Sequence, residues 1–193
     1  NSFNLVWEKV CAEVMDNQLQ KPIGGLRLPV PLAEQYRDMR HKKLIDLIDK
    51  PQWSGTAPNG EPFVKQAEDT LIPDLISIVN VDGDYQFIIF DAKYYNIQLE
   101  HNKKLRGQPG TESITKQYLY QLAYQPFVEA HQIGTVRNCF LMPTAAAEIV
   151  EKGTAALAML RNWGLQDIQV RLLPADMMYR HYIDNTKIDI QSL

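Results

Sequence analysis

The sequence is short of cysteine. Cys11 and Cys139 are the two in 193 residues, and they stand far apart without the close spacing of metal ligands. Both lie in apolar segments where a small thiol packs well, so both are expected in the core rather than in redox chemistry. Long apolar runs are lacking too: none approaches the roughly 18 to 20 residues that cross a bilayer. A soluble, cytoplasmic protein without a membrane partner is expected. No sign of charge dominates, with 20 Lys and Arg against 23 Asp and Glu and a formal net charge of -3. Nucleic-acid binding driven by overall charge is thereby disfavoured, which leaves local clusters such as Arg40 to Lys43 and Lys103, Lys104 and Arg106 to meet phosphates. His41, His101, His131 and His181 lack ligand spacing such as HxxxH, which argues against zinc and reads them as surface or hydrogen-bonded histidines. There is no serine, histidine and acid ordering and no Walker loop, so any nucleotide energy must come from another subunit. The chain opens on Asn and on an amphipathic helix rather than a leader, and we expect residues 1–193 to be one domain forming the C-terminal part of a longer chain.

Against these absences stands a clear succession of elements. Ser2 is the expected N-cap of a first helix running to about Gln20, with apolar residues at Phe3, Val6, Trp7, Val10, Cys11 and Val14. After prolines and glycines from Pro22 to Pro31, Leu32 to about Ile48 reads as a second helix, and Lys50 to Gly60 as a surface loop. Ile72 to Val81 and Tyr85 to Tyr95, separated by Asp82-Gly83-Asp84, read as a hairpin. A polar loop expected to be mobile, Gln98 to Gly110, precedes a helix over Glu112 to Ala130 and a strand over Val136 to Met142. Thr144 to Arg161 is ambiguous, its alanines favouring helix, before a strand at Ile168 to Leu173 and a helix at Ala175 to Ile183. The implied fold class is α/β (α+β), a mixed central sheet flanked by helices.

The chemistry concentrates on the hairpin. Pro73-Asp74 is followed after sixteen residues by Asp91-Ala92-Lys93. Strand alternation turns Asp91 and Lys93 to one face about 7 Å apart, with Ala92 on the other. Antiparallel pairing returns Asp74 to the same end. Two carboxylates offer hard oxygen ligands to Mg²⁺, with a lysine beside them to orient or deprotonate water or to stabilise the transition state. A surface salt bridge is the plainer account, but the apolar strand Ile88-Ile89-Phe90 running straight into three such residues argues for a site.

The stretches IPDLI, FIIFDAKYY and ITKQYLYQLAY resemble the PD-(D/E)XK nuclease superfamily in order and spacing. The VWEKVC helix, the tyrosines after the lysine and the KQYLYQ helix more narrowly resemble the nuclease domains of McrC-like and LlaJI-like restriction subunits. The resemblance spans Phe3 to Tyr124 with motifs and the remainder by element order. It implies a restriction-endonuclease-like fold and a Mg²⁺-dependent DNA endonuclease, with Mn²⁺ as a substitute. It assigns Asp74, Asp91 and Lys93 to the catalytic core, adds Glu8 on the first helix as a further metal ligand, and makes Gln117 the helix residue that positions the lysine or DNA. Tyr120, Gln121 and Tyr94 would support the site or touch DNA. For Glu8 the alternative is an exposed residue paired with Lys9, and for Gln117, Tyr120, Gln121 and Tyr124 it is a polar seam between helix and sheet. Tyr94 and Tyr95 alternate faces, so one is expected in the core and one near the groove. An AAA+ NTPase restriction subunit is the implied partner besides DNA, with sequence reading placed in a part of the chain before these residues. Two other functions stay open: a catalytically silent nuclease-fold DNA-binding or assembly subunit, and a metal-dependent phosphohydrolase of small molecules.

Overall fold

A computed structural model describes residues 2–193. Its centre is a five-stranded mixed sheet in the order β3-β4-β5-β7-β6, where β3 is Leu75–Val81, β4 Asp84–Ala92, β5 Thr135–Thr144, β6 Val150–Ala155 and β7 Ile168–Pro174. β3 and β4 are antiparallel, β4, β5 and β7 are parallel, and β6 closes the far edge antiparallel to β7. The expected hairpin is present with Val81 opposite Asp84, and Asp82 and Gly83 both adopt positive φ (51° and 92°), as a two-residue turn matched to strand twist requires.

The sheet is covered on both faces. Helix α1, Ser2–Val14, and α3, Ala175–Ile183, cover one face, where Trp7, Val10, Cys11, Ile88, Phe90, Cys139, Leu141 and Met178 form one core. Helix α2, Thr111–Ala130, covers the other, packing Tyr124 and Phe127 on Ile76, Ile78, Phe87 and Ile89. Both cysteines are free and buried, as expected. His131 is a hydrogen-bonded core residue: Nδ1 faces Phe127 O at 2.7 Å and Nε2 accepts the Ala33 N–H.

Four local expectations need correction. Helix α1 includes Ser2 rather than being capped by it, and it ends at Val14, not Gln20. Asp16 turns left-handed and the next residues bind the edge of β3, with Gln18 N donating to Ile76 O at 2.8 Å. That contact covers an edge which would otherwise stay unpaired. Leu32 to Ile48 holds two short 3-10 turns, Glu34–Met39 and Leu44–Leu47, instead of a helix. Backbone pairing with residues 19–24 diverts its carbonyls and amides: Ile23 N donates to Lys42 O, Gly24 N to Arg40 O and Leu44 N to Lys21 O. Lys50 to Gly60 is not a loop, because β1, Gln52–Thr56, pairs antiparallel with β2, Pro62–Gln66. Finally, β6 lies within Thr144 to Arg161, where β-sheet pairing with β7 overrides the helical leaning of the alanines.

Trp7 ties α1 to the sheet. It is fully buried, and its indole Nε1 donates to Leu141 O at 3.0 Å. Trp7→Phe is expected to lower stability by about 1 to 2 kcal/mol, from lost volume and a lost buried hydrogen bond, measured by urea denaturation. An unchanged midpoint would show that the indole contributes nothing beyond what phenylalanine supplies.

Candidate functional site

Asp74 stands just before β3, and the pairing of Leu75 with Phe90 sets it beside Asp91 at the end of β4. Alternation from Ile76 on β3 and from Phe87 and Ile89 on β4 carries both carboxylates to the α2 side. Asp74 Oδ2 accepts the Ala92 N–H at 2.9 Å, so a side chain completes the ladder where β3 has ended. Lys93 N donates to Leu141 O at 2.9 Å, extending the pairing with β5 one residue beyond β4. The Lys93 ammonium then lies against Asp91 Oδ1 and 4.0 Å from Asp74 Oδ2.

These three side chains differ in access. Asp91 is 6% exposed as a residue, while the side chains of Asp74 and Lys93 keep 24% and 21% of their surface. The Lys93 ammonium is the close partner of the buried Asp91 Oδ1. Burial first, then the adjacent Asp91 carboxylate, pushes Asp74 up to about 8. Burial acts to lower Lys93, but Asp91, Asp74 and Glu8 outweigh it and hold the ammonium above its ordinary value. Glu8, half-buried on α1, is raised by burial and feels Lys93 and Asp91. Among the described residues no group of three or more His, Cys, Asp or Glu is arranged as a metal cage. Asp74 and Asp91 therefore stand as a carboxylate pair, with Glu8 within reach of their field but outside such a cluster.

The remaining expected residues divide. Tyr120 approaches the pair: its hydroxyl donates to Ile72 O at 2.9 Å and is raised by burial and then by Asp74 and Asp91. Gln117, one turn earlier on α2, is fully buried and neither amide atom has a partner. Gln121 is committed elsewhere, accepting from Asn138 Nδ2 and Gln166 N and donating to Gly164 O. Tyr124 packs its ring on Phe87 of β4 and donates its hydroxyl to Leu44 O in the 3-10 turn, so both residues serve the packing around α2. Tyr94 stacks on Phe3 at 5.8 Å and Tyr95 is also exposed, so neither enters the core, because the strand ends at Ala92. The backbone groups that hold the site, Ala92 N and Leu141 O, carry no signature in the sequence, since any residue supplies such groups. A surface cavity of about 670 Å³ lies at the opposite end of the hairpin, lined by Asn80 and Val81, away from these residues.

A mixed sheet covered by helices on both faces, with two carboxylates and a lysine at the end of its antiparallel hairpin, is a restriction-endonuclease-like architecture. The chain belongs to the LlaJI restriction endonuclease family, whose model matches residues 35–173 and so leaves α1 and Glu8 outside the matched stretch. It is also similar to the type II restriction enzyme BsuMI component YdjA of Bacillus subtilis (strain 168), at 28% identity over 193 residues. That alignment takes in 99% of this chain and 34% of the relative, so the chain spans about a third of the relative's length. No solved structure matches. Among the described residues no helix is long and apolar enough to cross a membrane.

The carboxylate pair has a consequence for stability. An Asp74 held above its unfolded value contributes stability that is full below about pH 4 and lost as pH rises through about 8. Metal-free protein is expected to lose thermal stability between about pH 5 and pH 8, and Asp74→Asn to flatten that loss. Denaturation midpoints of both proteins in EDTA across this range provide the check. A gap between them that does not change with pH would contradict the assignment.

Proposed function

We propose that the protein is a Mg²⁺-dependent DNA endonuclease that hydrolyses phosphodiester bonds in a restriction system, with Mn²⁺ able to substitute. The convergence of Asp74, Asp91 and Lys93 at one strand end carries this reading. Family membership supports a nuclease role in general and contact with DNA.

The donor set fits a small hard cation. Asp91 Oδ1 is buried against the Lys93 ammonium, Asp74 is disfavoured as an anion, and among the described residues a single ammonium stands near both carboxylates. Mg²⁺ commonly takes one or two carboxylates and completes its shell with water and phosphate, so a third acidic ligand is not required. Asp74 and Asp91 would hold the ion, with Glu8 set to accept from one of its waters. When bound, the ion supplies Lewis-acid stabilisation of the phosphoryl oxygens and an acidified water. Lys93 stays protonated beside its carboxylates, which suits orienting water or balancing charge on the phosphate better than acting as a base. Gln117 has both amide atoms buried without partners, a cost of about 1 to 3 kcal/mol in the free protein. We assign it to positioning the attacking water or the Lys93 ammonium, while Tyr120 steadies the approach to Asp74 through Ile72.

Asp91→Asn is expected to abolish Mg²⁺-dependent nicking of supercoiled plasmid while circular dichroism shows an intact fold. Persistent nicking in that variant would sink the reading. Lys93→Ala is expected to cut the rate by at least about a hundredfold yet keep metal affinity, measured by calorimetry. Loss of metal affinity at unchanged turnover would instead make Lys93 a structural support for the carboxylates. The LlaJI-like and McrC-like resemblance further suggests that cleavage depends on an AAA+ NTPase subunit. Comparing plasmid cleavage with and without that subunit and nucleotide tests this separately.

A further inference from the structure

The β1–β2 ribbon packs little of itself against the body. Each residue of its two strands is exposed except the half-buried Gly55, and Trp53 and Val64 keep 70% and 61% of their surface. An isolated two-stranded ribbon is marginal in water, so exposed aromatics on one call for an explanation other than stability. The register sorts its side chains by face. Trp53 lies opposite Lys65 and Gly55 opposite Phe63, whereas Gln52 faces Gln66, Ser54 faces Val64 and Thr56 faces Pro62 on the other side. Gly55 lets the Phe63 ring lie across the ribbon, since a Cβ there would come within 2.7 Å of it. Lys65 Nζ stands 5.9 Å from that ring's centroid. One face thus carries aromatics with a cation, and the other carries amides and hydroxyls together with Val64 and Pro62.

This division selects the partner. A protein contact needs a contiguous apolar centre, but Trp53 and Phe63 are on one face and Val64 is on the other. Apolar side chains meet the thymine methyl groups on base edges, a lysine beside them can meet phosphate, and a two-stranded ribbon fits the major groove of about 12 Å. The ribbon's base is tied by Ala67 N to Pro51 O at 2.8 Å and Thr70 Oγ1 to Asp49 O at 2.6 Å. From there the chain passes Ile72, which Tyr120 holds, and arrives at Asp74. We infer that the β1–β2 ribbon is a DNA-binding arm that enters a groove of the duplex beside the Asp74, Asp91 and Lys93 site. Trp53 and Phe63 face the base edges with Lys65 beside them, and Gln52 and Gln66 on the other face turn away from the groove floor. This rests on the nuclease reading above.

Binding of a labelled linear duplex in EDTA, across a salt series, tests the arm. Trp53→Ala with Phe63→Ala is expected to weaken binding about tenfold without changing the salt slope, because no charge is removed. Replacing Lys103, Lys104 and Arg106 by Ala should instead lower the slope, by about 2 to 3, if the loop after Lys93 meets phosphates. In a Trp163→Phe background, which leaves Trp53 as the exposed tryptophan beside buried Trp7, duplex should shield Trp53 from acrylamide. Unchanged affinity of the double variant, or undiminished quenching of Trp53 on bound duplex, would overturn the arm and point to a protein contact. Should the wild type cut plasmid while the ribbon variant binds and cuts equally well, the arm fails and the nuclease reading stands. If the wild type neither binds nor cuts, both fall.

Discussion

The hydrogen bond from Ala92 N to the Asp74 carboxylate joins backbone register to charge. β3 has ended at that point, so the last amide of β4 would otherwise lack its antiparallel partner, and a side chain supplies the acceptor. The same bond fixes Asp74 next to Asp91, whose position follows from strand alternation. On the opposite edge of β4, Leu141 O takes both the Lys93 N–H and the Trp7 indole, so α1, β5 and the lysine meet at one carbonyl. A one-residue slip in the hairpin would turn Asp91 and Lys93 to the α1 core and break all three relations at once.

That arrangement stores unfavourable terms where a ligand can relieve them. Asp74 and Asp91 repel as anions, and Gln117 is buried without a partner on the helix facing the same side of the sheet. Elsewhere on α2 comparable polar groups are largely matched: Gln121 binds Asn138 and Gln166, and Tyr124 reaches Leu44 O. The contrast within one helix separates polar groups that packing has matched from one that it has not.

Two hairpins leave this centre. The β1–β2 ribbon precedes Asp74, and the loop after Lys93 folds back through paired bonds between Gln98 and Arg106. Gly107 makes the second possible, because at its φ of 65° an added Cβ would strike Asn96 O at 2.1 Å. Charge is modest in the ribbon and concentrated in the second loop at Lys103, Lys104 and Arg106, so a chain of net charge -3 still presents local basic groups in the loop that follows Lys93.

The hairpin, α2, α3 and the Asp74, Asp91 and Lys93 grouping were legible in the sequence because each rests on local rules: a period of two, an Asp-Gly turn and residues two apart on one strand. The Leu32 to Ile48 segment was not, since its backbone bonds go to residues 19–24, which pattern along the chain does not reveal. Nor was β6, whose strand state depends on β7, or the ribbon at Gln52, whose turn residues masked two short strands. Gln121 and Gln117 are four residues apart on one helix face, yet Asn138 and Gln166 satisfy the first and nothing among the described residues satisfies the second. The sequence by itself determined which residues share a strand face, because covalent geometry sets that. Only the tertiary structure decided which polar groups are matched across the helix–sheet seam and which remain open, because hydrogen-bond partners distant in sequence are chosen by packing.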